Sequence, residues 1–274
     1  MKKLYIDIGG THLRSELHDG VNILEDIRSS RKNDLIVYIE SILQDHPETG
    51  FIGISYAGQV DQGVILSAPN INVTVKGIKE HFESRYDLRL EIDNDLNCAA
   101  IAEAEALNSQ SIAVLYIGTG TGGAVIDKGT LIRGSQNQAF EIGHIPYRPA
   151  PFTCGCGKSN CLELYVSGSG LERWMRYHHI DGAPSFELLE QSEAGRAVKL
   201  QFEEALFYAA ATLVTVANPE MLVLGGGVIN HNDYLIDLLK VRLPEFAFPP
   251  SLPKLQIVQS TLQQPGIAGA KLLE

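Results

Sequence analysis

The chain of 274 residues predicts an α/β fold built as two like halves. Two observations carry this. Short apolar runs alternate with segments of helical spacing, the pattern of sheets covered by helices. One arrangement also occurs twice. Leu4-Tyr5-Ile6-Asp7-Ile8 leads into Gly9-Gly10-Thr11, a second strand and the turn Asp19-Gly20. Val114-Leu115-Tyr116-Ile117 leads into Gly118-Thr119-Gly120, a second strand and the turn Lys128-Gly129. Strand, Gly/Thr bend, strand, tight turn is the trace of a weak internal repeat. Two such halves facing each other would bring both bends to one cleft, suited to gripping a polyphosphate.

The elements follow in order. Leu4 to Ile8 and His12 to His18 read as a hairpin. In the bend between them backbone N–H groups and the Thr11 hydroxyl can approach a ligand closely. Asp7 beside the bend could hold a hydrated Mg²⁺, although by themselves these residues read first as a plain hairpin with a surface Asp. Asn33 to Leu43 has helical spacing, and Phe51 to Tyr56 is a buried strand. Residues 57–63 read as a loop, Val64 to Leu66 as a short strand, and 67–70 as another loop. Ile78 to Arg85 reads as a helix and Leu88 to Ile92 as a strand. Asp93-Asn94-Asp95 follows at once, opening a run of strong helix formers to Leu107. Asn94 or Asp93 is the expected cap. Asp95 then stands at a helix start, at the carboxyl end of a strand, where ligands collect in α/β sheets. Capping and dipole effects alone also favour Asp there, so the residues by themselves leave its role open.

Ser111 to Ile117 is the next strand. Gly118, Gly120 and Gly123 match a dinucleotide fingerprint, with Glu141 at a suitable distance downstream. Such a fingerprint must open a helix, whereas Ala124 to Ile132 reads as strand, turn, strand, so the nicotinamide reading fails. There is no P-loop sequence either. Tyr165 to Trp174 is expected to begin a helix, and 178–193 is polar and irregular. Arg196 to Val216 forms a long helix stopped by Asn218-Pro219. Met221 to Leu224 is a strand ending in Gly225-Gly226-Gly227, a third glycine bend. Asp233 to Leu243 is a helix, 244–253 a Pro-rich loop, Lys254 to Gln259 a strand, and Ile267 to Leu273 a terminal helix. No flexible linker is visible, so a domain boundary belongs between elements, near 107–111.

The densest chemistry lies between Glu141 and Glu163. His144, Cys154, Cys156 and Cys161 offer one imidazole and three thiolates, a set that zinc accepts in closed four-coordinate sites. Glu141 and Glu163 flank the ligands. They read either as bystanders of a structural zinc knot or, together with His144, as groups facing a polar substrate.

The net charge of −11 argues against nucleic acid as a partner, since phosphate backbones want Lys/Arg surfaces. It leaves room for an anion held by backbone amides. No apolar run approaches a membrane span, and the N-terminal run is too short for a signal peptide. Clustered cysteines at metal spacing suit a reducing cytosol, so a cytoplasmic location is expected.

These motifs together resemble the ROK family of bacterial sugar kinases and repressors, in the actin/hexokinase/Hsp70-like superfamily. Residues 6–11 resemble its first phosphate motif, Asp93-Asn94-Asp95 its catalytic motif, and 118–123 its second phosphate motif. Glu141-Ile142-Gly143-His144 with 154–163 resembles its zinc and sugar signature, and 222–227 its adenosine motif. The match covers essentially the whole chain in order.

The resemblance implies a two-lobed, ribonuclease H-like duplicated fold with the active site in the interlobe cleft. It implies a small lobe of 1–107 plus 263–274 and a large lobe of 108–262 carrying a zinc loop, 144–161. It implies transfer of the γ-phosphoryl of MgATP to a hexose hydroxyl, O6 above all, with structural Zn²⁺ and a homodimer. Asp95 matches the general base. Gly58, Asn70, Asn94, Glu141, His144 and Glu163 match the sugar-binding set. Asp7, Gly9, Gly10, Thr11, Gly118, Thr119, Gly120, Gly225 and Gly226 match the ATP and Mg²⁺ contacts. Asn160, the segment 71–74 and the loop 56–59 depart from the family pattern, which leaves the sugar open: glucose first, then N-acetylmannosamine, then fructose. No winged-helix extension precedes Met1, so the repressor branch is not expected. A non-catalytic sugar sensor and a zinc-containing interaction protein are the alternatives of other classes.

Overall fold

The computed structural model describes residues 1–21, 23–67 and 71–274. In chain order, β1 (Lys2–Ile8), β2 (His12–His18) and β3 (Ile23–Ser29) form an antiparallel meander. Helix α1 (Leu35–Asp45) follows, with Asp34 capping the amides of Ile36 and Val37. Strand β4 (Thr49–Tyr56) returns parallel to β1. A small hairpin of β5 (Gln59–Asp61) and β6 (Val64–Ser67) comes next, then α2 (Ile78–Glu83). Strand β7 (Arg89–Asn94) joins parallel to β4 and runs directly into α3 (Asp95–Leu107).

The pattern then restarts. Strands β8 (Ile112–Ile117), β9 (Thr121–Asp127) and β10 (Thr130–Leu131) form a second antiparallel meander. The cysteine loop follows, then α4 (Gly168–Tyr177), α5 (Phe186–Leu189) and α6 (Glu193–Ala217). Strand β11 (Met221–Gly225) pairs parallel to β8. After α7 (Gly227–Asn230) and α8 (Tyr234–Arg242), β12 (Gln256–Gln259) pairs parallel to β11, and α9 (Pro265–Lys271) ends the chain. The first sheet runs β3-β2-β1-β4-β7 and the second β10-β9-β8-β11-β12, the same order and strand senses. The repeat read from two glycine bends is thus a repeat of whole sheets.

The chain divides into two compact units. Unit 1 comprises 1–108, 133–139 and 262–274; unit 2 comprises 109–132 and 140–261. In unit 1, alternate residues of β1 face opposite sides, as the pleat requires. Leu4, Ile6 and Ile8 join Leu35, Ile39, Ile52 and Ile54 in one core, while Tyr5 packs with Phe51 and Ala270 of α9 on the other face. In unit 2, Phe202, Leu206 and Leu213 of α6 pack with Leu115, Leu222 and Leu224 of the sheet. Helix α6 stops where Asn218 turns left-handed (φ +47°) before Pro219.

Three segments differ from the sequence expectation. Strand β3 lacks a buried face, with Ile23, Leu24 and Ile27 exposed on an edge, so no alternation marks it. Residues 59–61 pair within the stretch read as a loop, and α5 is a single turn capped by Ser185 inside the stretch read as irregular.

Candidate active site

In unit 1, β1 ends at the bend of Gly9, Gly10 and Thr11, where the Gly9 amide donates to the His12 carbonyl at 2.9 Å. Asp7 accepts from the Ser55 hydroxyl at 2.9 Å, and Arg14 stands 3.9 Å away. Burial holds the Asp7 carboxyl above the usual carboxylate range, while the Ser55 bond and Arg14 oppose this.

The turn from β7 to α3 sorts its three polar residues physically. Asp93 is buried and both its oxygens are engaged. Its Oδ1 accepts from the Asn94 amide at 2.7 Å and from Asn97 Nδ2 at 2.8 Å, and Oδ2 accepts from Arg133 Nη2 at 2.8 Å. Asn94 is the helix cap: its Oδ1 accepts from the Leu96 and Asn97 amides. Its Nδ2 donates to the Gly58 carbonyl at 3.0 Å, which ties the Gly58 loop to the turn. Asp95 is the first residue of α3, half-buried, with Oδ1 3.1 Å from the Leu96 amide that donates to it. The turn therefore holds one structural carboxylate, one cap and one carboxylate at a helix N-terminus. Asn70 lies outside the described residues.

In unit 2, β8 enters the bend of Gly118, Thr119 and Gly120, and β9 leaves it directly as a strand. The fingerprint GxGxxG thus opens no helix. The Thr121 amide donates to Glu163 Oε2 at 3.0 Å. A Cβ on Gly120 would sit 2.6 Å from that same oxygen, so a side chain there would have to displace the Glu163 carboxylate. His144, Cys154, Cys156 and Cys161 place their donor atoms within 4.8 Å of one another. His144 Nδ1 lies 3.6 Å from Cys154 Sγ, and Cys156 Sγ lies 3.3 Å from Cys161 Sγ. Three thiols and an imidazole gain little from one another at this spacing, but a tetrahedral cation would satisfy all four, so the residues fit the implied metal. Burial and its cysteine neighbours push the Cys161 thiol up to about 12. Glu163 touches this cluster too, its Oε1 accepting from Cys154 Sγ at 3.6 Å.

Glu141 is half-buried, and burial raises its carboxyl, opposed by His144 and reinforced by Glu163. Phe140 before it takes φ +60°, a left-handed backbone uncommon for a bulky residue and one that strains the approach to Glu141. At the third bend Gly226 has φ +88°, and a Cβ there would meet the Ile117 carbonyl oxygen at 2.5 Å. Gly225 backs onto the Tyr116 ring.

The expected residues thus fall into two sets. Asp7, Gly9, Gly10, Thr11, Gly58, Asn94 and Asp95 belong to unit 1, and the remaining described ones to unit 2. The sequence reading missed Ser55, Arg133 and Asn137. None sits in a recognisable motif, and only the folded chain brings Arg133 and Asn137 to Asp93. A cavity of about 750 Å³ in unit 1 borders Asp93, Arg133 and Asn137 but not Asn94 or Asp95. Its cations are already paired, Lys79 and Arg89 with Glu91 and Arg133 with Asp93, so it does not present an anion site.

Several known proteins resemble the chain over most of its length. A glucokinase of Thermotoga maritima is 27% identical, over 98% of this chain and 96% of its own length. An N-acetyl-D-glucosamine kinase of Pectobacterium atrosepticum is 30% identical, over 82% of this chain and 80% of its own length. The crystal structure of a ROK hexokinase from Thermus thermophilus superposes with a TM-score of 0.82 at 26% identity, over 100% of this chain and 97% of that one. Fold and relatives define an ATP-dependent sugar kinase of the α/β class. The ROK family model matches residues 4–274, and the chain belongs to the ROK family. Among the described residues no helix is long and apolar enough to cross a membrane.

Proposed function

We propose that the chain phosphorylates the O6 hydroxyl of glucose or of an N-acetylhexosamine, with Asp95 as the general base. The observation that carries this is the β7–α3 turn. Asp93 is buried with both oxygens hydrogen-bonded and Asn94 Oδ1 caps α3, while Asp95 is the first residue of that helix, at the carboxyl end of β7. The sugar hydroxyl loses its proton to Asp95 as its oxygen bonds to the γ-phosphorus, the bond from that phosphorus to the ADP oxygen breaks, and ADP leaves. Asp95 needs little basicity, because the hydroxyl becomes acidic only as the new bond forms.

The amides of both glycine bends carry phosphate charge, which lets an acidic protein take ATP. Asp7 would hold Mg²⁺, which supplies further charge compensation when bound. Gly225 and Gly226 would contact the adenosine side. Gly58, Asn70, Asn94, Glu141, His144 and Glu163 bind the sugar. His144 can serve metal and sugar together, since Nδ1 faces Cys154 and leaves Nε2 for a hydroxyl. His144, Cys154, Cys156 and Cys161 would hold one zinc per chain, which would order that edge without taking part in the transfer. The Thermotoga and Pectobacterium relatives support glucose and N-acetylglucosamine as the first sugars to try, with N-acetylmannosamine and fructose next. Assembly as a homodimer rests on the family resemblance alone, and a cytoplasmic location on the clustered cysteines.

The test is an ADP-release assay across these sugars with the unmodified chain and Asp95→Asn. Turnover with at least one sugar is expected, and Asp95→Asn should lose about 10²- to 10⁴-fold in kcat while still binding sugar. Near-normal kcat in the variant would end the assignment of Asp95. Elemental analysis of freshly purified protein tests the zinc, and sedimentation equilibrium tests the dimer.

A further inference from the structure

The Asp93 carboxylate is a hub whose partners come from a distant part of the chain. Oδ1 takes three donors: the Asn94 amide at 2.7 Å, Asn97 Nδ2 at 2.8 Å and Asn137 Nδ2 at 2.9 Å. Oδ2 takes Arg133 through Nη2 at 2.8 Å and Nε at 3.3 Å. The Asp93 side chain is only 6% exposed, so removing its cation would leave a buried charge without compensation. Asn137 does more than donate to Asp93. Its Nδ2 also reaches the Val60 carbonyl at 2.8 Å, and its Oδ1 accepts from Asn97 Nδ2 at 3.0 Å. It thereby joins β5, which follows the Gly58 loop, to the first turn of α3. Its backbone is left-handed (φ +56°), a conformation Asn tolerates well, and the Ala139 amide closes the segment onto the Arg133 carbonyl at 3.1 Å.

We infer that Arg133 and Asn137 are positioning residues for the Asn94–Asp95 turn. They fix the Asp93 carboxylate, which fixes the Asn94 amide, and that peptide sets where the Asn94 and Asp95 side chains point. Neither residue touches the reacting groups in this account. Their contribution is to keep the base in register with the hydroxyl, where a displacement of about 1 Å can cost about 10²-fold. The cavity beside them gives this a chemical handle. Arg133 is 46% exposed and lines a space of about 750 Å³, large enough for a free guanidinium ion to enter.

This inference rests on Asp95 being the base, so the experiment begins with the unmodified chain. Absence of turnover that depends on Asp95 would overturn the proposed function, and this inference with it. Given such turnover, Arg133→Ala, Arg133→Lys and Asn137→Gly are compared with the parent. Glycine keeps the left-handed backbone while deleting the amide. Arg133→Ala should lower kcat about 10- to 100-fold, while the Kd of a non-hydrolysable ATP analogue stays within about twofold. Arg133→Lys keeps the charge but not the two-nitrogen approach to one oxygen, so it should fall between. Asn137→Gly should lower kcat about tenfold. Millimolar guanidinium should restore part of the Arg133→Ala loss and none of the Asn137→Gly loss. If Arg133→Ala does not fold, Asn137→Gly decides. Folded variants with parental kcat would refute the inference. So would a loss seen only in melting temperature, or one carried equally by nucleotide affinity.

Discussion

The first and second glycine bends leave equivalent strands of sheets with the same order, yet they are held in different ways. Among the described residues the first is tied to its own neighbourhood. Gly9 donates to His12, and Ser30 and Arg31, just past the meander, donate to Thr11 and Gly10. The second is stitched to a segment that begins two residues after Cys161. The Thr121 amide meets Glu163, the Thr121 hydroxyl donates to the Val166 carbonyl, and the amides of Gly168 and Ser169 donate to Gly118 and Thr119 at 2.8 and 3.0 Å. The same backbone motif is therefore a local turn in one unit and, in the other, bonded to the segment that follows the cysteine loop. Whatever orders that loop should therefore also steady the second bend.

Removal of the proposed metal should expose this difference most strongly. Chelation, or Cys156→Ser, should lower the apparent stability of unit 2 by several kcal/mol. Amide exchange at Thr121, Gly168 and Ser169 should quicken at least tenfold, about 1.4 kcal/mol of lost protection, while Gly9 and the Ala57 amide keep their rates. Equal quickening in both units would break the comparison.

Next in size is a matched pair of substitutions. A Cβ on Gly9 meets nothing nearer than the His12 carbonyl oxygen at 3.7 Å, whereas on Gly120 it meets Glu163 at 2.6 Å. Gly120→Ala should cost about 1–3 kcal/mol in urea unfolding and displace Glu163. Gly9→Ala should stay within about 0.5 kcal/mol. Similar costs would mean that the Glu163 contact does not hold the bend. Thr121→Val is a milder cut at the same seam. It deprives the buried Val166 carbonyl of its donor, at about 1–2 kcal/mol.

The asymmetry explains which parts of the molecule were legible in the sequence. The bends were, because Gly and Thr between two apolar runs leave a local trace. The Asn94 cap and the break at Asn218-Pro219 were too, since caps and stops are decided within a few residues. The four candidate metal-binding residues were visible from spacing alone, and the structure brings their donor atoms together. What was not legible depends on contacts distant in the chain. Nothing near Arg133 or Asn137 announces Asp93, 40 and 44 residues away. Phe140 hides a left-handed residue, because the sequence shows a bulky side chain where the backbone would suit glycine. Strand β3 escaped for a different reason: an exposed edge has no buried face to produce alternation.

The smallest expected effect concerns the residue two positions before each bend. In unit 1 it is Asp7; the equivalent place in unit 2 is Tyr116, whose hydroxyl donates to Ser260 at 3.1 Å. Burial raises the Asp7 carboxyl above the value of about 3.9 it has in the unfolded chain. Between that value and the raised one, the folded protein binds more protons than the unfolded. Stability from this group is therefore present at low pH, falls as pH rises through the window, and stays lowered at neutral pH. Asp7→Asn keeps the contact with Ser55 and deletes the charge. It should melt about 1–3 °C higher than the parent at pH 7, with the difference narrowing towards pH 3.5, where the carboxyl is mostly protonated in both the folded and the unfolded chain. The gain should come with lost turnover if Asp7 holds the metal of the nucleotide, which marks it as a group kept for chemistry at the expense of stability. Paired melting curves at the two pH values decide it. A difference that is the same at both, or reversed at pH 7, would mean that Ser55 and Arg14 already compensate the buried charge, and that the two bends differ in their bonding but not in their electrostatics.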